Sequence, residues 1–236
     1  MDTWYNQLGF YNNPFSIKPA AYHDEIMGHA GIIDEVLDKV RSGNILFIEG
    51  EYGIGKTTIL KRIINEFGGK GKVVYYSCNR SENGLKVDRL AKGSRGFFGK
   101  VFNTEPKNLI LLLDEVQDLS QEDCEGLHNS LDDKSFKSII LVSQKFKDVT
   151  FGNGLKGLIG KNVINVKKYT GPEAIEFIRR RIGNMKILSD KSIETLNKKA
   201  GGNPRKLLKN CEEICRYAIE NFEDEVTEEI IKKVLE

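Results

Sequence analysis

No stretch of this sequence stays apolar for long. The longest wholly apolar run, Leu109 to Leu113, is far short of the roughly 20 residues that a membrane-spanning helix needs. The opening residues Met1-Asp2-Thr3-Trp4-Tyr5-Asn6 carry neither the positive charge nor the apolar core of a secretory leader. A cytoplasmic location without membrane insertion is therefore expected. Cysteine is scarce: Cys78 and Cys124 stand alone, and Cys211 and Cys215 sit one helical turn apart with no C-x-x-C pair. That spacing argues against a zinc site or a disulfide framework and leaves core packing as their role. An excess of one charge is missing too. With 36 basic residues against 34 acidic ones, for a net charge of +2, any nucleic-acid binding has to come from local patches. The histidines, His23, His29 and His128, have no companion acid or nucleophile motif and read as structural or solvated. At 236 residues the chain can bury one good core and a small satellite, which bounds it at two domains.

One stretch organises the rest. Gly50, Glu51, Tyr52, Gly53, Ile54, Gly55, Lys56, Thr57 and Thr58 fit G-x-x-x-x-G-K-[ST] at every fixed position, the phosphate-binding P-loop pattern. Its context is right: Ile45 to Ile48 is an apolar run suited to a buried strand, and Ile59, Leu60, Ile63, Ile64 and Phe67 recur at helical spacing until Gly68-Gly69. Glycines let the backbone wrap a phosphate chain, and N–H groups at a helix start supply positive potential. Lys56 is then placed to reach the β and γ phosphates of ATP and the Thr57 hydroxyl to ligate Mg²⁺.

Upstream, Asn13-Pro14-Phe15 reads as an extended strap that lays a Phe on an apolar surface. From Gly31 to Ser42, Ile32, Ile33, Val36, Leu37 and Val40 mark an amphipathic helix. Val73 to Ser77 reads as a second strand and the run at 109–113 as a third, its all-apolar character fitting the middle of a parallel sheet. That third strand ends in Asp114-Glu115. Ligands of open α/β sheets collect at the carboxyl ends of strands, so the pair looks like a Walker B motif, with Asp114 holding Mg²⁺ through water and Glu115 acting as general base. Ser138 to Val142 makes a fourth strand, followed by Ser143-Gln144, where a polar side chain points to the γ-phosphate; Val163 to Val166 makes a fifth.

The pattern predicts an α/β fold, a P-loop NTPase three-layer sandwich around a five-stranded parallel sheet. After Thr170 it becomes purely helical. The capping box Thr170-Gly171-Pro172-Glu173 opens a helix to Arg181, and further helices are predicted near 190–199, 204–221 and 227–235. The division expected is a core with its N-terminal strap over 1–169 and a small all-helical lid over 170–236.

Between the second and third strands the chain is basic. Arg80, Lys86, Arg89, Lys92, Arg95 and Lys100 outnumber Glu82 and Asp88, with Phe97-Phe98 among glycines. Two readings stand, a solvated irregular helix or a loop tracking a nucleic-acid backbone, since clustered Lys and Arg with nearby aromatics suit one.

The P-loop, the Asp-Glu Walker B, the polar residue closing the next strand and the lid turn Gly202-Asn203-Pro204-Arg205 together resemble the AAA+ ATPases over most of the chain. Asn13-Pro14-Phe15, the segment from Asp114 to Ser120, and Val142-Ser143-Gln144 look like the branch holding the ExeA-type secretion ATPases, the TnsC transposition regulators and the archaeal origin-recognition ATPases. The resemblance implies that Gln144, or Ser143 beside it, acts as sensor 1, that Arg205 acts as sensor 2, and that copies form nucleotide-dependent rings or filaments. It implies an ATPase assembling on DNA to recruit or regulate an unknown protein machine. The alternative is a protein-directed switch or assembly factor for a secretion or surface apparatus, without nucleic acid.

Two departures from the family pattern bear on rate and reach. No Arg occurs between Lys147 and Lys168, where such proteins carry an arginine finger, a group worth several orders of magnitude in turnover. Lys161 stands there instead, and Arg95 is the other candidate to act across an interface, so slow turnover without a partner is expected. With the lid predicted to reach residue 235, a winged helix like that of the origin-binding proteins is not expected within these 236 residues.

Overall fold

The computed structural model describes residues 3–17, 30–67, 72–80, 85–87, 89–90 and 107–235. They cluster into two compact units: Gly31–Tyr52 with Lys56–Val166, and Met1–Ala30 with Gly53–Gly55 and Lys167–Glu236.

The first unit is an α/β layer structure. It runs α1 (Ala30–Arg41), β1 (Ile45–Glu49), α2 (Lys56–Phe67), β2 (Val73–Ser77), β3 (Leu109–Asp114), α3 (Gln121–Asp132), β4 (Phe136–Ser143), α4 (Asn153–Ile159) and β5 (Val163–Asn165). The strands form one sheet in the order β2-β3-β4-β1-β5, every pairing parallel, as the five apolar runs predict. Both faces of a parallel sheet are covered by helices, so its strands tolerate no polar alternation. Residues of β3 are accordingly buried throughout. Alternation still sorts them. Phe47, Leu111, Leu113 and Leu141 share a core with Leu127 of α3 and Leu155 and Ile159 of α4. Leu46, Ile48, Leu112 and Val142 point the other way and are also fully buried, as are Val36 and Val40 of α1 and Ile59, Leu60 and Ile63 of α2.

α3 is fixed by a capping box in which Ser120 accepts from the Asp123 amide while Asp123 accepts from the Ser120 amide. The sequence pattern misses it because Asp stands where Glu or Gln is usual. Asp123 is buried, and its other oxygen accepts from the Leu85 amide at 2.8 Å.

The second unit is helical: α5 (Gly171–Ile182), α6 (Asp190–Lys199), α7 (Pro204–Glu220) and α8 (Glu228–Leu235) around Ile178, Leu196, Leu207 and Ile214. The predicted capping box at Thr170 and Glu173 is present. The N-terminal segment belongs here. Phe15 is buried in this core, stacked on Trp4 with centroids 6.2 Å apart, and Arg181 donates to the carbonyls of Pro14 and Ser16. The turn into α7 depends on Gly202. At φ 72 its amide bonds the Asn197 carbonyl and its own carbonyl receives the Tyr169 amide, and an added Cβ would meet the Tyr169 oxygen at 2.9 Å. Among the described residues no helix is long and apolar enough to cross a membrane.

Candidate functional site

β1 runs into the P-loop and the loop into α2, so the strand–loop–helix context is real. Lys56 is the first residue of α2 and is buried, 8 % exposed. Its ammonium donates to the carbonyls of Gly50 at 2.6 Å and Glu51 at 3.0 Å. Burial holds its pKa below the ordinary lysine value, opposed by the charges of Glu115 and Asp114. The Gly50 amide bonds the Gln144 carbonyl at 3.1 Å, tying the start of the loop to the end of β4. Ile54 is buried and Tyr52 exposed.

The tip of the loop, Gly53–Gly55, clusters with the helical unit. The Arg205 amide donates to the Gly53 carbonyl at 3.3 Å. Gly53 has φ 81, and an added Cβ would stand 2.9 Å from the Arg205 Cβ, so glycine is required here both for conformation and for space. Asn203 caps α7, its side chain accepting from the amides of Arg205 and Lys206.

Asp114 ends β3, buried, in register with Ser77 of β2 and Val142 of β4. Its Oδ2 accepts from the Thr57 hydroxyl at 2.9 Å, and its Oδ1 from the Glu115 amide at 3.1 Å. Thus Thr57 and Asp114, 57 positions apart in sequence, meet. The Tyr75 hydroxyl lies 3.4 Å from the same Oδ2. Sequence reading passes over Tyr75; the signal was its place two residues before the end of β2, on the face that Ser77 shares with Asp114.

Glu115 takes a left-handed backbone, φ 59 and ψ 52, and is half-buried. Such a conformation costs about 1–3 kcal/mol for a residue other than glycine and recurs at functional sites. Here it turns the chain off the strand into the 3-10 turn Val116–Asp118.

β4 separates the two sensor candidates. Ser143 pairs with Glu49 and is buried, with Gln117 3.4 Å from its hydroxyl. By register it lies on the face of Leu113 and Leu141, opposite to Asp114. Gln144, one residue on, is exposed. Of the basic candidates, Lys86 and Arg89 are exposed, and Lys92, Arg95 and Lys100 lie outside the described residues. Lys161 is exposed after α4.

Residues 42–149 match a family model described as an AAA domain. The replication initiator DnaA of Methylacidiphilum infernorum is 27 % identical over 204 residues, covering 81 % of this chain and 44 % of that protein. The DNA repair protein RadA of Streptococcus pyogenes is 24 % identical over 145 residues, covering 57 % and 31 %. The chain therefore spans less than half the length of these relatives. Among solved structures, the ORC2 protein of Aeropyrum pernix aligns over 95 % of this chain and 71 % of its own, at TM-score 0.70 and 17 % identity. The RuvB Holliday junction branch migration motor of Thermotoga maritima aligns over 90 % and 70 %, at 0.66 and 18 %. The resemblance to AAA+ proteins thus has support in both sequence and fold: residues 42–149 match an AAA domain, and the chain shares its fold with the ORC2 and RuvB structures.

Proposed function

We propose that this chain binds and hydrolyses ATP with Mg²⁺, assembles with further copies in a nucleotide-dependent way, and does so on DNA in the cytoplasm to recruit or regulate a machine of the transposition, replication or recombination type. The observation that carries the reading is the meeting of Thr57 with Asp114 at 2.9 Å, beside a buried lysine held by the loop's own carbonyls.

Thr57 and Asp114 offer oxygen ligands only, which suits a hard cation such as Mg²⁺. Thr57 and Asp114 would hold that ion, and it would supply positive charge against the phosphates. Lys56 exchanges the carbonyls of Gly50 and Glu51 for the same phosphates, while the amides at the start of α2 receive the chain's negative charge. Glu115 accepts the proton of the attacking water. Gln144 is the better placed of the two sensor candidates, since Ser143 is buried on the other face of the sheet. Arg205 reads the γ-phosphate from the lid.

The DNA part rests on the exposed Lys86 and Arg89, on Lys92, Arg95 and Lys100 beyond them, and on relatives whose names place them in replication, repair and branch migration. The test is turnover against protein concentration, with and without DNA, alongside retention on DNA against salt. We expect weak turnover alone, stimulation by DNA, and a log–log salt slope of about −0.9 for each phosphate neutralised. High turnover in a dilute monomer, unmoved by DNA, would overturn the DNA-assembled reading in favour of a self-contained switch.

A further inference from the structure

β2 stands at one edge of the described sheet, and its two tyrosines are turned to different faces. Tyr76 packs on the core that holds Phe47 and Leu111. Tyr75, in register with Leu112, lies on the other face with Asp114 and is 45 % exposed. Strand propensity explains an aromatic residue at this point, and exposure explains a polar tip. Neither explains where the tip is aimed. The Tyr75 hydroxyl lies 3.4 Å from Asp114 Oδ2, the oxygen that also accepts from the Thr57 hydroxyl at 2.9 Å. Ser77 is the residue directly opposite Asp114, yet its hydroxyl donates to Asn79 at 2.8 Å. The hydroxyl that β2 brings to the carboxylate therefore comes from two residues back, reaching diagonally across the strand pair.

Asp114 is thus approached from three elements. The Glu115 amide, next in its own chain, takes Oδ1 at 3.1 Å, while hydroxyls from α2 and from β2 converge on Oδ2. A phenol both donates and accepts. It can keep its bond to the carboxylate and still offer a lone pair to water, which a phenylalanine at the same place cannot do.

We infer that Tyr75 is a positioning residue for the divalent cation: its hydroxyl orients the Asp114 carboxylate and supplies a hydrogen-bond acceptor for the ion's hydration water. This rests on the Mg²⁺ reading of Thr57 and Asp114 given above. Mg²⁺ demands near-octahedral geometry and keeps several of its waters, so a carboxylate that holds it through water depends on outer groups for its direction. Outer partners of this kind are worth about 10–100-fold in metal affinity.

The test measures binding of a fluorescent, non-hydrolysable ATP analogue to the full chain, in EDTA and across a Mg²⁺ titration. Tyr75→Phe removes the oxygen and keeps the ring. It should leave the melting temperature and the affinity in EDTA as in the parent, while raising the Mg²⁺ concentration for half-maximal tightening about tenfold. Tyr76→Phe, one residue along and on the other face, should leave that concentration unchanged. Asp114→Asn should raise it further than Tyr75→Phe does. In turnover, saturating Mg²⁺ should return Tyr75→Phe to the parent rate, which a packing lesion would not allow. A Tyr75→Phe chain with the parent's Mg²⁺ requirement, one weakened equally in EDTA, one whose turnover Mg²⁺ does not restore, or a Tyr76→Phe chain shifted as far would overturn the role of Tyr75 and leave the Thr57–Asp114 site standing. A parent whose affinity for the analogue is unmoved by Mg²⁺, or an Asp114→Asn chain with the parent's requirement, would overturn the metal reading and the role of Tyr75 with it.

Discussion

The two units bury their polar side chains differently. In the helical unit Ser192, Asn197 and Asn203 are buried and neutral, and each bonds main chain: Ser192 donates to the Val226 carbonyl, Asn197 to those of Tyr169 and Thr170, and Asn203 caps α7. At the carboxyl edge of the sheet the buried polar groups include two ionic ones, Lys56 and Asp114, beside the neutral Ser143, and no ion pair joins Lys56 to Asp114. Neutral groups bonded to the local backbone are architecture. Buried charges with no ion partner are costly unless a ligand supplies the missing charge. Asp123 shows that the distinction is chemical rather than regional, because it is a carboxylate buried in the α/β unit whose oxygens are taken up by the Ser120 and Leu85 amides.

That contrast can be broken by substitution. The largest effect is expected for Glu115→Gln, which should keep ATP bound while lowering turnover by about 10²–10⁴-fold, the range for losing a general base. Single-turnover hydrolysis checks it, and unchanged turnover would place the base elsewhere. Lys56→Ala should weaken ATP binding about 100-fold or more, since two charge-assisted contacts of roughly 1.5–3 kcal/mol each are lost. Equilibrium titration with a fluorescent nucleotide reads this directly. Asn203→Ala, by contrast, removes a cap and should cost about 1 kcal/mol of stability. In a chain of this length that lowers the melting temperature by roughly 2–4 °C.

The smallest effect concerns the cysteines. Burial, with Asp123 and Asp114 adding to it, pushes the Cys78 thiol up to about 12, and Cys211 and Cys215 are raised by burial as well. A raised thiol pKa keeps the group neutral and slow towards electrophiles. Alkylation of the native chain at pH 8 should therefore be slow at all three, and fast once the chain is denatured.

The P-loop, the Asp114-Glu115 pair and the five strands were legible in the sequence because each is written in adjacent residues: an apolar run, a turn of glycines, a charge at a strand end. What escaped reading is written across distance. Nothing near Tyr75 announces that its hydroxyl reaches Asp114, and nothing near Gly53 announces that Arg205 of a helix about 150 residues later fills the space where its side chain would be. The face that Ser143 takes likewise needed register, because strand alternation assigns a face only after the pairing is known.

The strand order has a consequence for how this protein is made. β1, which leads into the P-loop, is synthesised well before its sheet neighbours: Ile45 pairs with Ile139 and Phe47 with Val163. Partners separated by on the order of a hundred residues close slowly, and a nascent strand of this apolar character stays exposed until they emerge. The loop therefore gains its flanking strands, and the bond from the Gly50 amide to the Gln144 carbonyl, only when β4 and β5 have been made. A ribosome-bound chain stalled before β5 should not yet hold ATP.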